Sequence, residues 1–453
     1  MTILRIAVPA PLRKYFDYLP PKSGAWEALQ PGVRVRIPFG RRELIGIFTG
    51  FSDKSDLALN KLKPVLEIID TETVIPNDIL QLCFWAADYY HFPMGEVLAH
   101  ALPALLRQGK LLPKTKEIVD TTPAVSLSSL SLNAAQETAV TSIRTALNTF
   151  QVFLLDGVTG SGKTEVYLQT IEYVLKNQQQ VLVLVPEIGL TPQTIQRFRE
   201  RFAVQVVALH SSLSEKERLN AWLLAKTGEA KIVIGTRSAV FTPFEQLGLV
   251  IVDEEHDLSF KQQDGFRYHA RDLAIMRAHF NKIPIVLGSA TPALETLHKA
   301  QQGRFDYLRL PDRAGVAQLP VFEVIDIRKK SLDQGLSDTL IKEIEQHLAR
   351  DEQVMLFLNR RGFAPILMCH ACGWVATCKR CDTRMTYHQY SERLHCHHCE
   401  TQRNLFTQCE ACGEKELHAI GLGTERLEHA LQNHFPDIAI ARIDRDSTKR
   451  KGS

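Results

Sequence analysis

Polar and apolar residues alternate in two short runs near the N-terminus, Val33-Arg-Val-Arg-Ile37 and Leu44-Ile-Gly-Ile-Phe48. Alternation with period two, punctuated by Gly and Pro, predicts strands with one buried face. Asn77 is placed to cap a following helix that runs to Tyr90. Residues 1–106 therefore read as a small β-rich domain with an appended helix. Periodicity lapses over 107–131, around Pro113, Pro123 and the run Ser126-Leu-Ser-Ser-Leu-Ser131, which reads as a linker. From Asn133 the pattern changes. Val152-Phe-Leu-Leu155, Val181-Leu-Val-Leu-Val185, Lys231-Ile-Val-Ile234, Leu249-Val-Ile-Val252 and Ile283-Pro-Ile-Val-Leu287 are short, mostly apolar runs. Such runs mark strands buried on both faces of a parallel sheet. Amphipathic segments lie between several of them, one opened by the capping box Ser214-Glu-Lys-Glu217. The pattern predicts a doubly wound α/β lobe over 132–312. A second α/β region begins over 313–368, with a helix at Thr339–Leu348 and a strand at Gln353–Leu358. A cysteine block at 369–418 interrupts it. It resumes over 419–453 with a strand at Ile438–Arg442, and reads as an incomplete lobe.

Size and composition narrow the class. The 453 residues suggest roughly three domains of about 150 residues. A chain 45% hydrophobic and 23% charged is ordinary for a soluble globular protein. No apolar run is long enough to span a bilayer, and the N-terminus lacks a signal-peptide layout, so a cytoplasmic protein is expected. The net charge of +3 is close to neutral, so any nucleic-acid surface must be local.

Candidate chemistry starts at Gly157-Val-Thr-Gly-Ser-Gly-Lys163-Thr164, which matches G-x-x-x-x-G-K-[ST] after a strand and before a helix. Gly157, Gly160 and Gly162 let backbone amides approach phosphates, and the helix N-terminus adds a favourable dipole. Lys163 faces the β- and γ-phosphates of ATP, and Thr164 holds Mg²⁺. Asp253-Glu-Glu-His256 closes the strand Leu249–Val252. Asp253 is assigned to the metal and Glu254 to the attacking water, so Lys163, Asp253 and Glu254 form the catalytic set of an ATP hydrolase.

Eight of the nine cysteines fall in four Cys-x-x-Cys turns: Cys369/Cys372, Cys378/Cys381, Cys396/Cys399 and Cys409/Cys412. Two such turns make one tetrahedral thiolate site, so eight ligands imply two Zn²⁺ per chain. Spacing alone does not fix which turns share a metal. His395, His397 and His398 are redundant substitutes. The block has few residues for an apolar core, so zinc supplies most of its folding energy. Cys83 stands alone in a helix as a small core residue.

Asp253-Glu-Glu-His256 resembles the second motif of superfamily 2 helicases, and further matches follow in order. Leu184-Val-Pro-Glu-Ile-Gly-Leu-Thr-Pro-Gln193 resembles motif Ia. Gly235-Thr-Arg-Ser238, with Arg237, resembles the DNA-contacting motif Ib. Gly288-Ser-Ala-Thr-Pro292 resembles motif III, which couples nucleotide state to DNA grip. Asn133 and Gln136 sit where such helicases hold adenine. The narrower resemblance, over nearly the whole chain, is to the primosomal replication-restart DNA helicases. It rests on Pro186–Gln193, Ile234–Ala239, Phe357-Leu-Asn-Arg-Arg-Gly-Phe-Ala-Pro365 and Lys261-Gln-Gln-Asp-Gly-Phe-Arg-Tyr-His-Ala-Arg-Asp-Leu273. The last stretch resembles an aromatic-rich loop that senses single-stranded DNA. Phe260, Phe266 and Tyr268 offer ring faces for stacking, and Arg267 and Arg271 supply charge. Phe16, Asp17, Tyr18, Gly40 and Lys63 match the family's pocket for a 3′ DNA end. The family joins the outer cysteine turns in one zinc site (Cys369, Cys372, Cys409, Cys412) and the inner turns in the other (Cys378, Cys381, Cys396, Cys399).

The resemblance implies RecA-like lobes and an ATP-dependent 3′–5′ DNA helicase of the primosome. Such an enzyme recognises stalled or collapsed forks and restarts replication. Its implied partners are forked and single-stranded DNA, other primosome proteins, single-strand-binding protein and the replicative helicase loader. A monomer without membrane contact is expected. This sequence departs from the family in three ways. The linker is too short for the usual winged-helix domain. The late motor motifs do not follow Gly421-Leu-Gly-Thr-Glu425 and Arg442-Ile-Asp-Arg-Asp-Ser-Thr448, and the family's C-terminal domain is absent. The expectation is therefore DNA binding with impaired hydrolysis, unless Arg360 or Arg361 replaces the missing arginine. The competing class is a zinc-containing fork-DNA platform without productive ATPase.

Overall fold

The computed structural model describes residues 2–22, 26–112, 130–314, 320–328, 330–358, 366–381, 383–388, 393–396, 398–415, 417–420 and 424–443. The linker features at 113–129, the segment carrying Arg360 and Arg361, His397, and residues 421–423 lie outside this set. The chain divides into two compact units, residues 1–318 and 319–453.

Unit one opens with strands β1 (Ile3–Ala7), β2 (Phe16–Tyr18), β3 (Arg34–Phe39), β4 (Arg42–Ser52) and β5 (Glu67–Ile68). They form an antiparallel sheet in the order β2-β1-β4-β3-β5. Alternation puts Leu4, Ile6, Val35, Ile37 and Phe48 into one core. Ala7 and Ile47 instead join a second core with helices α1 (Asn77–Tyr89), α2 (Met94–Ala101) and α3 (Ala104–Arg107). Asn77 does not cap α1. Pro76 occupies that position with no side-chain cap, because its fixed extended geometry already sets the entry angle. Cys83 is fully buried in α1, and burial pushes its thiol far up.

The rest of unit one runs α4 (Ala134–Thr145), β6 (Gln151–Gly157), α5 (Lys163–Lys176), β7 (Gln180–Leu184), α6 (Pro192–Arg201), β8 (Gln205–Leu209), α7 (Glu215–Lys226), β9 (Ala230–Gly235), β10 (Leu247–Asp253), α8 (Ala270–Asn281), β11 (Pro284–Ser289), α9 (Leu294–Gln301) and β12 (Asp306–Leu310). The strands make one seven-stranded sheet, β12-β6-β11-β10-β7-β9-β8, and every pair is parallel. Its strands are apolar on both faces. Leu154, Leu182, Leu184, Val250 and Val252 enter one core, while Phe153, Leu155, Val181, Val183 and Ile251 enter the other. That double burial is what the continuous apolar runs encode. The two edges, β8 and β12, escaped the sequence reading because each is partly exposed and mixed in pattern. The capping box at Ser214 and Glu217 is formed at the start of α7.

Buried polar ties fix the small sheet and its helices to each other and to the lobe. Arg34 and Asp70, both enclosed, pair at 2.6 Å, and Arg34 also donates to the Leu106 and Lys110 carbonyls at 2.7 and 2.9 Å. Arg277 of α8 reaches Asp78 of α1 at 3.2 Å.

Unit two holds the short ribbon β13 (Leu332–Asp333) and β14 (Leu336–Ser337), α10 (Asp338–Leu348) and α11 (Thr424–His434). It also holds an antiparallel sheet of β15 (Ile366–Cys369), β16 (Thr386–His388), β17 (Arg393–His395), β18 (Gln402–Asn404) and β19 (Leu417–Ile420). The expected helix at 339–348 is present as α10. The strands expected at Gln353–Leu358 and Ile438–Arg442 are not formed. Leu356 and Leu358 pack toward α10 and α11, while Met355 and Phe357 are 86% and 79% exposed. A buried parallel strand needs hydrogen-bonded neighbours, and none of the described residues supplies them here. Among the described residues no helix is long and apolar enough to cross a membrane.

Candidate nucleotide, DNA and zinc sites

The phosphate-binding loop forms where β6 ends and α5 begins. Gly160 and Gly162 take φ of +80° and +81°, in the left-handed region that favours glycine. A Cβ on Gly162 would also stand 2.3 Å from the Gln136 side-chain nitrogen. Among the described residues no side chain caps α5, and the buried Ser161 hydroxyl has no hydrogen-bond partner. Uncapped amides with the positive end of a helix dipole are the chemistry an anionic phosphate satisfies. Lys163 donates from Nζ to the Gly157 carbonyl at 2.9 Å. The loop residues and Lys163 therefore fit a nucleotide triphosphate.

Thr164, Asp253 and Glu254 line one cleft of about 380 Å³, together with Tyr167, Pro186, Gly189 and His256. Burial raises the Asp253 carboxyl, and the charge of Glu254 raises it further. The Tyr167 hydroxyl and the Lys163 ammonium pull the other way. The Tyr167 hydroxyl donates to Asp253 Oδ1 at 3.0 Å. The Asp253 carboxylate and the Thr164 hydroxyl are oxygen donors of the kind that suits Mg²⁺, and Glu254 lines the same cleft. The sequence reading missed Tyr167. Its helical spacing within α5 marks it only as a core position. Glu254 has a φ of +47°, an uncommon value for a residue with a side chain. His256 Nδ1 lies 2.7 Å from the Ser289 hydroxyl, which joins the acidic motif to Gly288–Pro292.

Asn133 and Gln136, expected at adenine, are engaged with each other in a reciprocal capping box at the start of α4. Gln136 also donates to the Ser161 carbonyl at 2.8 Å. That bond sets Gln136 against the phosphate loop, and the Asn133 side-chain oxygen accepts from the Gln136 amide.

Expectations for the aromatic-rich loop need correction. Phe260, Phe266 and Tyr268 are buried, so their ring faces are not offered for stacking. Phe266 packs 5.2 Å from Phe92 and 5.9 Å from Tyr90, and Tyr268 lies 5.5 Å from His100. Three large rings on one short segment bury more favourably against the α1–α2 aromatics than in water. Arg267 is exposed, whereas Arg271 is buried against Glu255. Arg237 donates from Nη1 to the Ser259 and Lys261 carbonyls at 2.8 and 3.2 Å and so fastens the root of the loop.

Phe16, Asp17, Tyr18, Gly40 and Lys63 all line one cavity of about 550 Å³ in the N-terminal sheet. Its other walls include Arg5, Lys14, Lys61 and Asp56, so cations outnumber acids there. Phe16 stacks edge-on to Phe39 at 5.2 Å, and Lys14 lies over the Phe16 ring. Tyr18 is buried, which pushes its phenol up to about 12, and its hydroxyl donates to the Pro38 carbonyl.

In unit two, Cys369, Cys372, Cys409 and Cys412 bring their sulfurs within 4.8 Å of one another, as do Cys378, Cys381, Cys396 and Cys399. Cys369 Sγ is 3.6 Å from Cys412 Sγ, and Cys378 Sγ is 3.5 Å from Cys399 Sγ. Sequential pairing of the turns is excluded. The β15–β19 pairing brings the outer turns together, and the β16–β17 hairpin joins the inner ones. Two four-sulfur sets fit two Zn²⁺.

Three family models match in chain order. These are the PriA 3′ DNA-binding domain over residues 5–103, the DEAD/DEAH box helicase over 133–300, and the Cys-rich region of PriA DNA helicase over 378–403. Replication restart protein PriA of Haemophilus influenzae is 42% identical over all of this chain and 71% of its own length. The protein of the same name from Bacillus subtilis is 43% identical over 72% of this chain and 41% of its own. A solved structure of RecG bound to a three-way DNA junction aligns with 50% of this chain and 29% of its own, at 23% identity and a TM-score of 0.34.

Proposed function

Since this chain belongs to the PriA replication restart protein family, we propose that it acts as an ATP-dependent 3′–5′ helicase at stalled or collapsed forks. In this reading residues 1–106 hold a 3′ DNA end, 107–131 link, and 132–312 form the ATP-binding lobe. Residues 313–368 and 419–453 belong to a second lobe, and 369–418 form the zinc insert. The observation that carries the reading is the cleft where Thr164, Asp253 and Glu254 meet beside Lys163 and the uncapped start of α5. Bound Mg·ATP supplies a phosphoanhydride whose cleavage drives motion. Lys163 and the loop amides hold its phosphates, Thr164 and Asp253 hold the ion, and Glu254 orients a water. Asn133 and Gln136 sit beside that loop to report adenine. The cationic cavity with Phe16, Asp17, Tyr18, Gly40 and Lys63 takes the DNA terminus, where phosphate contacts position and the cavity walls select. Arg267 and Arg237 act on the tracked strand, Arg267 directly and Arg237 through the loop it fastens. Phe266 and Tyr268 are the buried root of that loop. Single-strand-binding protein, other primosome proteins and the replicative helicase loader are its partners.

The test is nucleotide binding and fork unwinding by the 453-residue chain. Lys163→Ala removes the cation facing the β- and γ-phosphates and abolishes Mg·ATP binding in calorimetry. Equal binding by both proteins sinks the assignment. Unwinding that begins only from a 3′ single-stranded tail supports the polarity. One observation favours a second reading, a fork-DNA platform without productive ATPase. Gln353–Leu358 has no strand partner among the described residues, so a second-lobe parallel sheet is not assembled there. Tight fork binding with no DNA-stimulated ATP turnover selects that reading.

A further inference from the structure

The acidic motif holds three consecutive carboxylates, and the cleft uses two. Asp253 and Glu254 line it, and Glu255 does not. Glu255 is fully enclosed, with a side-chain exposure of 0%. Its Oε1 accepts from the Ala293 backbone amide at 2.7 Å. Its Oε2 accepts from Arg271 Nη1 at 2.9 Å and from the Thr296 hydroxyl at 2.9 Å. Arg271 also donates to Thr296 at 3.2 Å, and the Glu255 amide donates to the Gly288 carbonyl at 3.0 Å. One buried carboxylate thus ties three segments that are distant in sequence. These are the end of β10 beside the Mg²⁺ ligands, the start of α8 where the aromatic-rich loop ends, and the start of α9 after Gly288–Pro292.

We propose that Glu255 is a positioning residue that couples the nucleotide cleft to the aromatic-rich loop. The proposal rests on the ATP- and DNA-binding reading above. A buried ion cannot shed its partner without a large penalty. The two-residue step from Asp253 to Glu255 therefore obliges the Glu255 carboxylate, Arg271 and Thr296 to move as one body. A nucleotide-dependent shift at the end of β10 then reaches the loop through Arg271. A shift of the loop reaches Gly288–Pro292 through Thr296 and Ala293. Glu255 touches no substrate in this scheme. Its effect lies in the coupling between two sites and not in either affinity, and such coupling is reciprocal.

The experiment measures Mg²⁺ with a non-hydrolysable ATP analogue by calorimetry, with and without saturating single-stranded oligothymidine. The ratio of the two affinities is the coupling factor. For the wild-type chain a factor of about 5 or more is expected, within the range of ordinary allosteric couplings. Glu255→Gln keeps the size and one acceptor but loses the charge that holds Arg271. The expected result is each ligand bound alone within about twofold of wild type, and a coupling factor of about 1. Arg271→Gln combined with Glu255→Gln removes the unpaired buried cation and serves where the single variant folds poorly. Its coupling is also lost. Wild-type coupling in either folded variant overturns the proposal, because a merely structural tie lowers the melting temperature and leaves the ratio intact. A wild-type chain that binds both ligands with a factor of 1 overturns it too, while the proposed function stands. Absence of nucleotide binding overturns both.

Discussion

Tyr167 carries no group that reacts, yet its hydroxyl decides where the Asp253 carboxylate points. The space it occupies exists because residue 288 is glycine. A Cβ there would lie 1.6 Å from the Tyr167 hydroxyl oxygen and 2.9 Å from the ring carbon that bears it. Gly288→Ala should therefore destabilise unit one by roughly 1–3 kcal/mol, the ordinary cost of overpacking. Adding Tyr167→Phe should recover part of that loss. A double-mutant cycle in urea checks it, and strictly additive effects would falsify the clash. His100 offers a pH signature. Burial, with Arg107 and Arg237 nearby, pulls its imidazole down to about 4. In the unfolded chain the group protonates near its ordinary 6.5. Between those values the unfolded state binds the extra proton, so stability is full above about 6.5 and falls as pH drops toward 4. His100→Gln should flatten that part of the urea-midpoint profile, and an unchanged slope would count against the burial argument. Neither residue was legible as functional in the sequence. A tyrosine at a helical core spacing and a histidine in an apolar helix look alike whether or not they have a special neighbour.

Among the elements, the small sheet is tied to α3 and the residues after it through one enclosed ion pair. Arg34 and Asp70 are enclosed, and Arg34 is shared with two carbonyls at and beyond the end of α3. Asp70→Ala leaves a buried guanidinium with no counter-charge. It should cost about 3–5 kcal/mol, readable as a lower melting temperature of unit one. A loss within experimental error would show that water reaches the pair. The zinc hairpins make a different prediction. Their core consists of a few side chains that include Cys378 and Cys396 themselves, so the metal is part of the packing. Replacing Cys378 and Cys381 by serine should release one of two Zn²⁺ and leave the Cys369–Cys412 set loaded. Loss of both ions on elemental analysis would mean that the two sites fold as one.

At the scale of the molecule, the two units have separate cores. Those of residues 1–318 are built on two sheets, and those of 319–453 on the packing of α10 with α11 and on the cysteine hairpins. A strong chelator should therefore abolish one calorimetric transition and leave the transition of unit one at its original temperature. A single cooperative transition that shifts as a whole would contradict this.

Sequence alone determined what local chemistry enforces. Five short apolar runs had the pattern of doubly buried strands, the phosphate loop needed its glycines and lysine, and four Cys-x-x-Cys turns called for two metals. Those signals are written in consecutive residues. The tertiary structure decided what depends on residues far apart. It paired the outer turns with each other through β15 and β19, and it added β8 and β12 at the sheet edges, where exposure blurs the pattern. It buried Phe266 and Tyr268 against α1 and α2, and it gave the third carboxylate of the acidic motif an interior place. Burial is a property of what lies opposite in space, and a sequence pattern records only that a residue tolerates it.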